Sequence, residues 1–293
     1  MSPGLPVTTA ATIQSFLIER HPDVPRTRVK QWLRHGAIHV NGSTVTRHDH
    51  PLQPGDRVEI RKAPAPHPAT EQLRGLTLIH EDADLLIVEK PAGLLSIAAK
   101  NERERTAYAL LTDYVRTRYR GQGARVWIVH RLDLDTSGLM VFARTEEVKR
   151  RLQADWSAVA KDYLAITDGH PPADRGRLEH QLDESDPFRV RIVPADTPDT
   201  RHALTHYQVL EKNAHHSLLE LRIETGRRHQ IRVQLAAIGC PVLGDSKYHP
   251  DHPRKARLAL HASRLSFRHP RTQQQLTFES PLPAALRSLF LHR

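Results

Sequence analysis

The sequence predicts an α+β protein in two parts: a small N-terminal domain over residues 1–62 and a larger domain over 74–293 with a mixed, mainly antiparallel sheet. Three observations lead there. Pro64, Pro66 and Pro68 punctuate the aperiodic run APAPHPATEQ after Lys62, which describes a stiff, extended linker at 63–73. Before it, two short helical patterns precede Asn41-Gly42, a strong signal for a tight hairpin. After it, alternating and helical stretches interleave irregularly, without the strand–helix repeat of a parallel sheet.

In the N-terminal part, Ile13, Phe16 and Leu17 recur at helical spacing across 8–20, behind Thr8 and Thr9 as caps. Residues 26–35 set Val29, Trp32 and Leu33 on one helix face and Arg26, Lys30 and Arg34 on the other, with Arg28 flanking. A hairpin over 37–50 turns at Asn41-Gly42, and Pro54-Gly55-Asp56 leads into a strand at 57–61. In the larger part, strands are expected at 77–82, 85–90, 126–129 and 139–143, with helices at 105–119 and 145–156. KDYLAITDG (161–169) reads as a strand, and FRVRIV (188–193), THYQVLEK (205–212) and SLLELRI (217–223) as an antiparallel set. RRHQIRVQLAAIG (227–239) reads as a helix ended by Gly239.

Composition excludes several classes. With 39% hydrophobic and 26% charged residues among 293, disorder over most of the chain is excluded. No apolar run approaches the roughly 20 residues of a membrane-spanning helix, so no membrane partner is expected. Met1 to Pro6 shows no basic segment leading into an apolar stretch, and a cytoplasmic monomer is the expectation. Cys240 is the only cysteine, which rules out an intramolecular disulfide and argues against a thiolate metal site. The balance of 43 Lys and Arg against 33 Asp and Glu, a net +10 with 20 His besides, points to a polyanionic partner. Residues 1–62 are the denser basic region, with nine basic against five acidic residues.

The polar run HRLDLDTSG (130–138) lies between two expected strands, a rigid setting for reactive groups. Two chemistries compete for it. Asp133-Leu134-Asp135-Thr136 resembles the DxDxT signature of the haloacid-dehalogenase phosphotransferases, which use a nucleophilic Asp and Mg²⁺, and Asp245 and Asp251 could supply a later acidic motif. Against that reading, His130 and Arg131 separate Asp133 from the strand, and an arginine beside a Mg²⁺ site weakens metal binding. Ser137 lacks the G-x-S-x-G turn of a nucleophile elbow and is read as shaping the loop.

The whole string HRLDLDTSGLMVFART resembles the signature of the RluA-type RNA pseudouridine synthases, and the resemblance extends along the chain. LLIVEKPAGLLS is similar to that family's strand and KPxG turn, and KDYLAITDG to its K-x-Y-x-A strand. ETGRRHQIRVQLAAIGCPVLGDSKY is similar to its TGRxHQIR helix and GxPxxGDxxY loop, and LALHASRLSFRHP and FESPLP to its C-terminal strands. Residues 1–62 separately resemble the S-four RNA-binding module through VPRTRVKQWLRHGAIHVNGSTV and PGDRVEI, with Arg26, Arg28, Lys30 and Arg34 as its RNA-binding cations.

The resemblance implies an isomerase that detaches uracil from its ribose at nitrogen 1, turns the base and rejoins it through carbon 5. That change needs neither redox chemistry nor a cofactor. The base must leave its stack to be reached. By resemblance Asp133 is the catalytic residue, either attacking the anomeric carbon or taking the 2′ proton. Desolvation disfavours a lone carboxylate, so a cation is needed beside it, and the resemblance assigns Arg227. Arg131 would fill the space vacated by the flipped uridine, and Tyr163 would stack on the uracil. His130 and His229 are read as hydrogen-bonding supports rather than metal ligands. One departure stands out: Gln234 occupies the position where the family usually has a histidine after HQIRx. Ribosomal RNA, particularly of the large subunit, is the favoured partner, although tRNA-directed members of the family exist.

Overall fold

In the computed structural model the described residues are 4–26, 29, 32–33, 38–45, 47–60, 73, 75–98, 106–119, 125–249 and 257–291. The chain divides into two compact units, residues 1–69 and 70–293. Most of the expected linker at 63–73 lies outside the described residues. Its last position, Leu73, is fully buried in a core cluster of the larger unit, as befits an apolar side chain beside Leu76.

The smaller unit runs β1 (Leu5–Pro6), β2 (Ala11–Thr12), α1 (Ile13–Arg20), β3 (Ile38–Val40), β4 (Ser43–Thr44), β5 (Pro51–Leu52) and β6 (Arg57–Ile60). Helix α1 begins later than expected. Thr12, not Thr8 or Thr9, accepts the Ser15 N–H at 3.3 Å, and Ala11–Thr12 pair with β5 instead. Ile13, Phe16 and Leu17 are buried as the periodicity requires. Arg26, Val29, Trp32 and Leu33 are helical, with Val29 and Leu33 buried and Arg26 exposed, whereas Arg28, Lys30 and Arg34 lie outside the described residues. The Asn41-Gly42 turn joins β3 to β4 with φ of 51° and 83°, the left-handed pair that a type I′ hairpin demands.

The larger unit comprises β7 (Thr77–Glu81), β8 (Leu85–Lys90), α2 (Ala107–Arg118), β9 (Trp127–Ile128), β10 (Ser137–Ala143), α3 (Glu146–Ala154) and β11 (Ala160–Asp168). It continues through β12 (Arg175–Asp183), β13 (Arg191–Val193), β14 (Arg201–Lys212), β15 (His216–Ile223), α4 (Gln230–Ala237), β16 (Leu260–Arg268), β17 (Gln275–Glu279) and α5 (Ala284–Leu291). Among the described residues these strands form one sheet in the order β13-β12-β14-β15-β11-β16-β10-β8-β7, with β9 on β10 and β17 on β16. Among the described residues, β10–β16 is the only parallel pair of strands in this sheet.

Three elements differ from the sequence expectation. Strand β12 was not anticipated because Leu178 and Leu182, its buried apolar residues, are four apart and fit a helix as well as a strand. Pairing with β13 and β14 settles the matter. The expected strand from Phe188 starts only at Arg191, and Phe188 stands in the preceding loop. Helix α4 starts at Gln230, because His229 adopts the left-handed conformation at φ 52° and closes the turn before it.

The parallel crossing of β10 and β16 explains the glycine of HRLDLDTSG. Gly138 has φ +117°, and a Cβ there would fall inside the backbone of Ala262, its pairing partner. Gly138→Ala is therefore expected to cost about 3 kcal/mol through strain and overpacking. A drop in the denaturant midpoint of the larger unit measures it, and an unchanged midpoint would remove the steric explanation.

Candidate active site

The loop between β9 and β10 carries Asp133, and its backbone is braced on both sides of that residue. Before it, the buried Ser96 hydroxyl donates to the Leu132 carbonyl at 2.7 Å and accepts the Leu132 N–H at 3.0 Å. After it, the Leu134 carbonyl accepts from Lys90 Nζ and from the Gly93 N–H, both at 3.0 Å. Lys90 is fully buried at the end of β8, and its ammonium also reaches the carbonyls of Pro91 and Leu94. Burial pushes its pKa down to about 8, so it keeps its charge at neutral pH in a cage of carbonyl oxygens. His130 Nε2 accepts the Val141 N–H at 3.1 Å and its ring packs against Trp156. Burial, aided by Lys161, pushes His130 down to about 3 and keeps it the neutral acceptor this bond requires. It is a support, as expected.

Behind the loop, the Ser137 hydroxyl meets His261 Nδ1 at 2.8 Å and receives a hydrogen bond from Arg257. His261 continues to Ser280, which donates to Glu89. Ser137 thus ties β10 to its parallel neighbour, in keeping with a loop-shaping residue.

The Asp133 carboxylate is partly accessible, and Arg232 Nη1 donates to its Oδ2 at 3.1 Å. Arg232, on the first turn of α4, is itself buried and bound bidentately by Asp245 at 2.7 and 2.8 Å. Asp245 is fully buried and also accepts the N–H groups of Lys247 and Tyr248. Burial opposes the charge of both partners. The hydrogen bonds and charge of Asp245, then Asp133, nevertheless raise the Arg232 pKa, and those of Arg232 lower that of Asp245. His229 Nε2 lies 4.0 Å from the same Asp133 oxygen, and its Nδ1 meets the Tyr248 hydroxyl at 2.9 Å. Burial pushes His229 down to about 4, so it is neutral at physiological pH.

Tyr163 packs against two core clusters, one around α2 and β8, the other around α4, β14 and β15. The register with β16 shifts between Asp162 and Tyr163, where Ser263 of β16 is passed over, while Tyr163 stays in regular register with Leu221 of β15. Its hydroxyl pKa is raised, first by burial and then by the negative charge of Asp133. The phenol therefore stays protonated beside the carboxylate.

The structure brings together Asp133, Tyr163 and His229, and it leaves Arg131 exposed in the same loop. Arg227 is a correction. It is exposed in the turn before α4, and its Nε donates to the His202 carbonyl at 3.0 Å, while Arg232 supplies the guanidinium at Asp133. The physical signal was present: an arginine amid the apolar window QIRVQLAA can be buried only against anions. Lys90, at the end of the apolar strand LLIVEK, carried a similar signal.

Gln234 is fully buried and stitches α4 to the sheet. Its amide nitrogen donates to the carbonyls of Leu178 and Ala203 at 3.0 and 3.1 Å, and its oxygen accepts from Thr205 at 2.7 Å. Of the later acids of the haloacid-dehalogenase alternative, Asp245 is engaged by Arg232, and Asp251 lies outside the described residues.

A mixed sheet thus sets the braced Asp133 loop beside a buried arginine on α4, with Tyr163 on β11, and likeness to known proteins gives this arrangement its class, the RNA-isomerising enzymes. Residues 84–237 match the family model of RNA pseudouridylate synthase, and residues 13–58 match the S4 domain. The chain is 35% identical to the RNA pseudouridine synthase YlyB of Bacillus subtilis, over 94% of this chain and 92% of that protein. It is 34% identical to ribosomal large subunit pseudouridine synthase D of Vibrio cholerae, over 92% and 87% respectively. Among solved structures, human RNA Pseudouridylate Synthase Domain Containing 4 aligns with a TM-score of 0.63 at 25% identity, covering 75% of this chain and 92% of that one. This chain belongs to the RNA pseudouridine synthases and carries an S4 RNA-binding domain at its N-terminus.

Proposed function

We propose that this pseudouridine synthase acts on uridine in large-subunit ribosomal RNA, with Asp133 as its essential residue. The observation that carries the role of Asp133 is its carboxylate, accessible at the mouth of a doubly braced loop and held by the buried Arg232. Both routes open to it, attack on the anomeric carbon and removal of the 2′ proton, use the anion, and the guanidinium orients it through a hydrogen bond. Arg131, exposed two residues earlier, fills the gap left by the flipped nucleotide. Tyr163 offers its ring to the uracil. The C1′–N1 bond breaks and the C1′–C5 bond forms; nitrogen 1 gains a proton and carbon 5 loses one, so the reaction balances without a co-reactant. The target rests on likeness to relatives named for the large ribosomal subunit. The S4 domain supplies phosphate contacts through Arg26 with Arg28, Lys30 and Arg34.

Release of tritium from RNA labelled at carbon 5 of uridine tests the reading. With unmodified large-subunit rRNA, small-subunit rRNA and tRNA offered separately, release is expected from the first. Release from tRNA alone would transfer the activity to that substrate.

A further inference from the structure

We infer that Phe188 is a stacking platform for an RNA base flanking the target uridine. The inference deepens the reading of this chain as an RNA-modifying enzyme and rests on it. Phe188 is 76% exposed, more than Ile79, Ile97, Leu134, Leu210 or Leu291, the other large apolar side chains left in solvent among the described residues. Its loop, between β12 and β13, is nevertheless tightly held. Arg228 donates to the carbonyls of Glu184 at 3.0 Å and Pro187 at 2.6 Å and to that of Asp186, while its own N–H reaches the Glu184 carboxylate at 2.8 Å. Lys247 Nζ bonds the Phe188 carbonyl at 2.8 Å, Asp186 caps the Phe188 N–H at 2.7 Å, and the Val190 N–H donates to the Tyr248 hydroxyl at 2.9 Å.

Burying an aromatic ring of this size would stabilise the fold. Instead the loop holds the ring out in water, where folding gains nothing from it. A partner gains a rigid aromatic face whose ordering cost has already been met.

The position and surroundings say which partner. Arg228 neighbours His229, and Tyr248 bonds both the loop and His229, which lies 4.0 Å from Asp133. The loop that carries the aromatic is therefore linked to the reactive carboxylate through the side chains of Tyr248 and His229. Exposed Arg189, whose guanidinium lies over the Tyr248 ring, and exposed Arg191 flank it with positive charge. An aromatic among cations beside an RNA site suits a nucleotide: phosphate for the cations, the π-face of any base for the ring. Flipping one uridine also unstacks its neighbours, and an exposed ring can replace the lost stacking partner.

The test uses the full chain and large-subunit rRNA transcribed in vitro with tritium at carbon 5 of uridine. Phe188→Ala is expected to raise both the Kd for this RNA and KM about tenfold, the effect of one lost stack, with kcat within twofold of wild type. Because no phosphate contact is lost, the slope of log Kd against log salt stays unchanged. Phe188→Tyr restores Kd and KM. Phe188→Ala binding RNA as wild type does would overturn the inference and leave the ring to a protein partner. A reduced salt slope, or failure of the tyrosine to rescue, would equally overturn it. Absence of tritium release from the wild-type enzyme would count against the proposed function instead, and the binding arm distinguishes the two.

Discussion

Asp133→Asn is expected to lower tritium release from labelled uridine by about a thousandfold or more while leaving the protein folded. The amide can neither attack carbon nor accept a proton usefully, and losses of this size follow removal of a positioned base or nucleophile. Its oxygen can still accept the hydrogen bond from Arg232, and the braces from Ser96 and Lys90 act on Leu132 and Leu134 rather than on the carboxylate. Unchanged thermal unfolding and RNA affinity within about threefold of wild type should accompany the loss, since affinity comes mainly from phosphate contacts elsewhere. Turnover within tenfold of wild type would move the catalytic role to another residue.

Arg232→Met should damage both stability and catalysis, for separable reasons. Asp245 is fully buried, and its carboxylate relies on the bidentate guanidinium. Deleting one partner of a buried pair typically costs about 3–5 kcal/mol. The pH dependence has a defined sign. In the wild type the Asp245 pKa is lowered below the ordinary carboxylate value, so its contribution is present at neutral pH and lost as pH falls through the folded value. Without the guanidinium, burial acts on Asp245 with less opposition, and protonation relieves the cost. The stability deficit of the variant is therefore larger at pH 7.5 than at pH 4.

Catalysis responds through Asp133. Losing the guanidinium 3.1 Å from its Oδ2 removes the hydrogen bond that orients the carboxylate, so kcat is expected to fall by about a hundredfold. Adding Asp245→Leu should recover stability by removing the stranded charge while leaving kcat low. Recovery of the wild-type kcat in the double variant would show that Arg232 acts only by holding α4 in place. Arg227→Ala, by contrast, should leave kcat near the wild-type value, because Arg227 is exposed and engages a backbone carbonyl of β14.

Much of this protein was legible in one dimension because its signals are local. Asn41-Gly42 dictates a two-residue hairpin through the backbone freedom of those two residues, and Gly239 ends α4 with φ 75°. The runs LLIVEK and LMVFA can only be strands buried on both faces. HRLDLDTSG marks a polar loop between such strands, and family likeness singles out Asp133 within it. Other features depend on what lies across the fold. Arg227 and Arg232 stand five residues apart in one helical-looking segment, and their order in the chain does not say which reaches Asp133. The left-handed turn at His229 and the opposing charge of Asp245 decide it. Strand β12 exists because β13 and β14 offer it hydrogen bonds, as the spacing of Leu178 and Leu182 suits a helix equally. The backbone braces at Ser96 and Lys90 join residues more than 35 positions apart in the chain. Local propensity and pattern are encoded residue by residue, whereas the partner of a buried charge is set by whichever distant group the sheet brings within 3 Å of it.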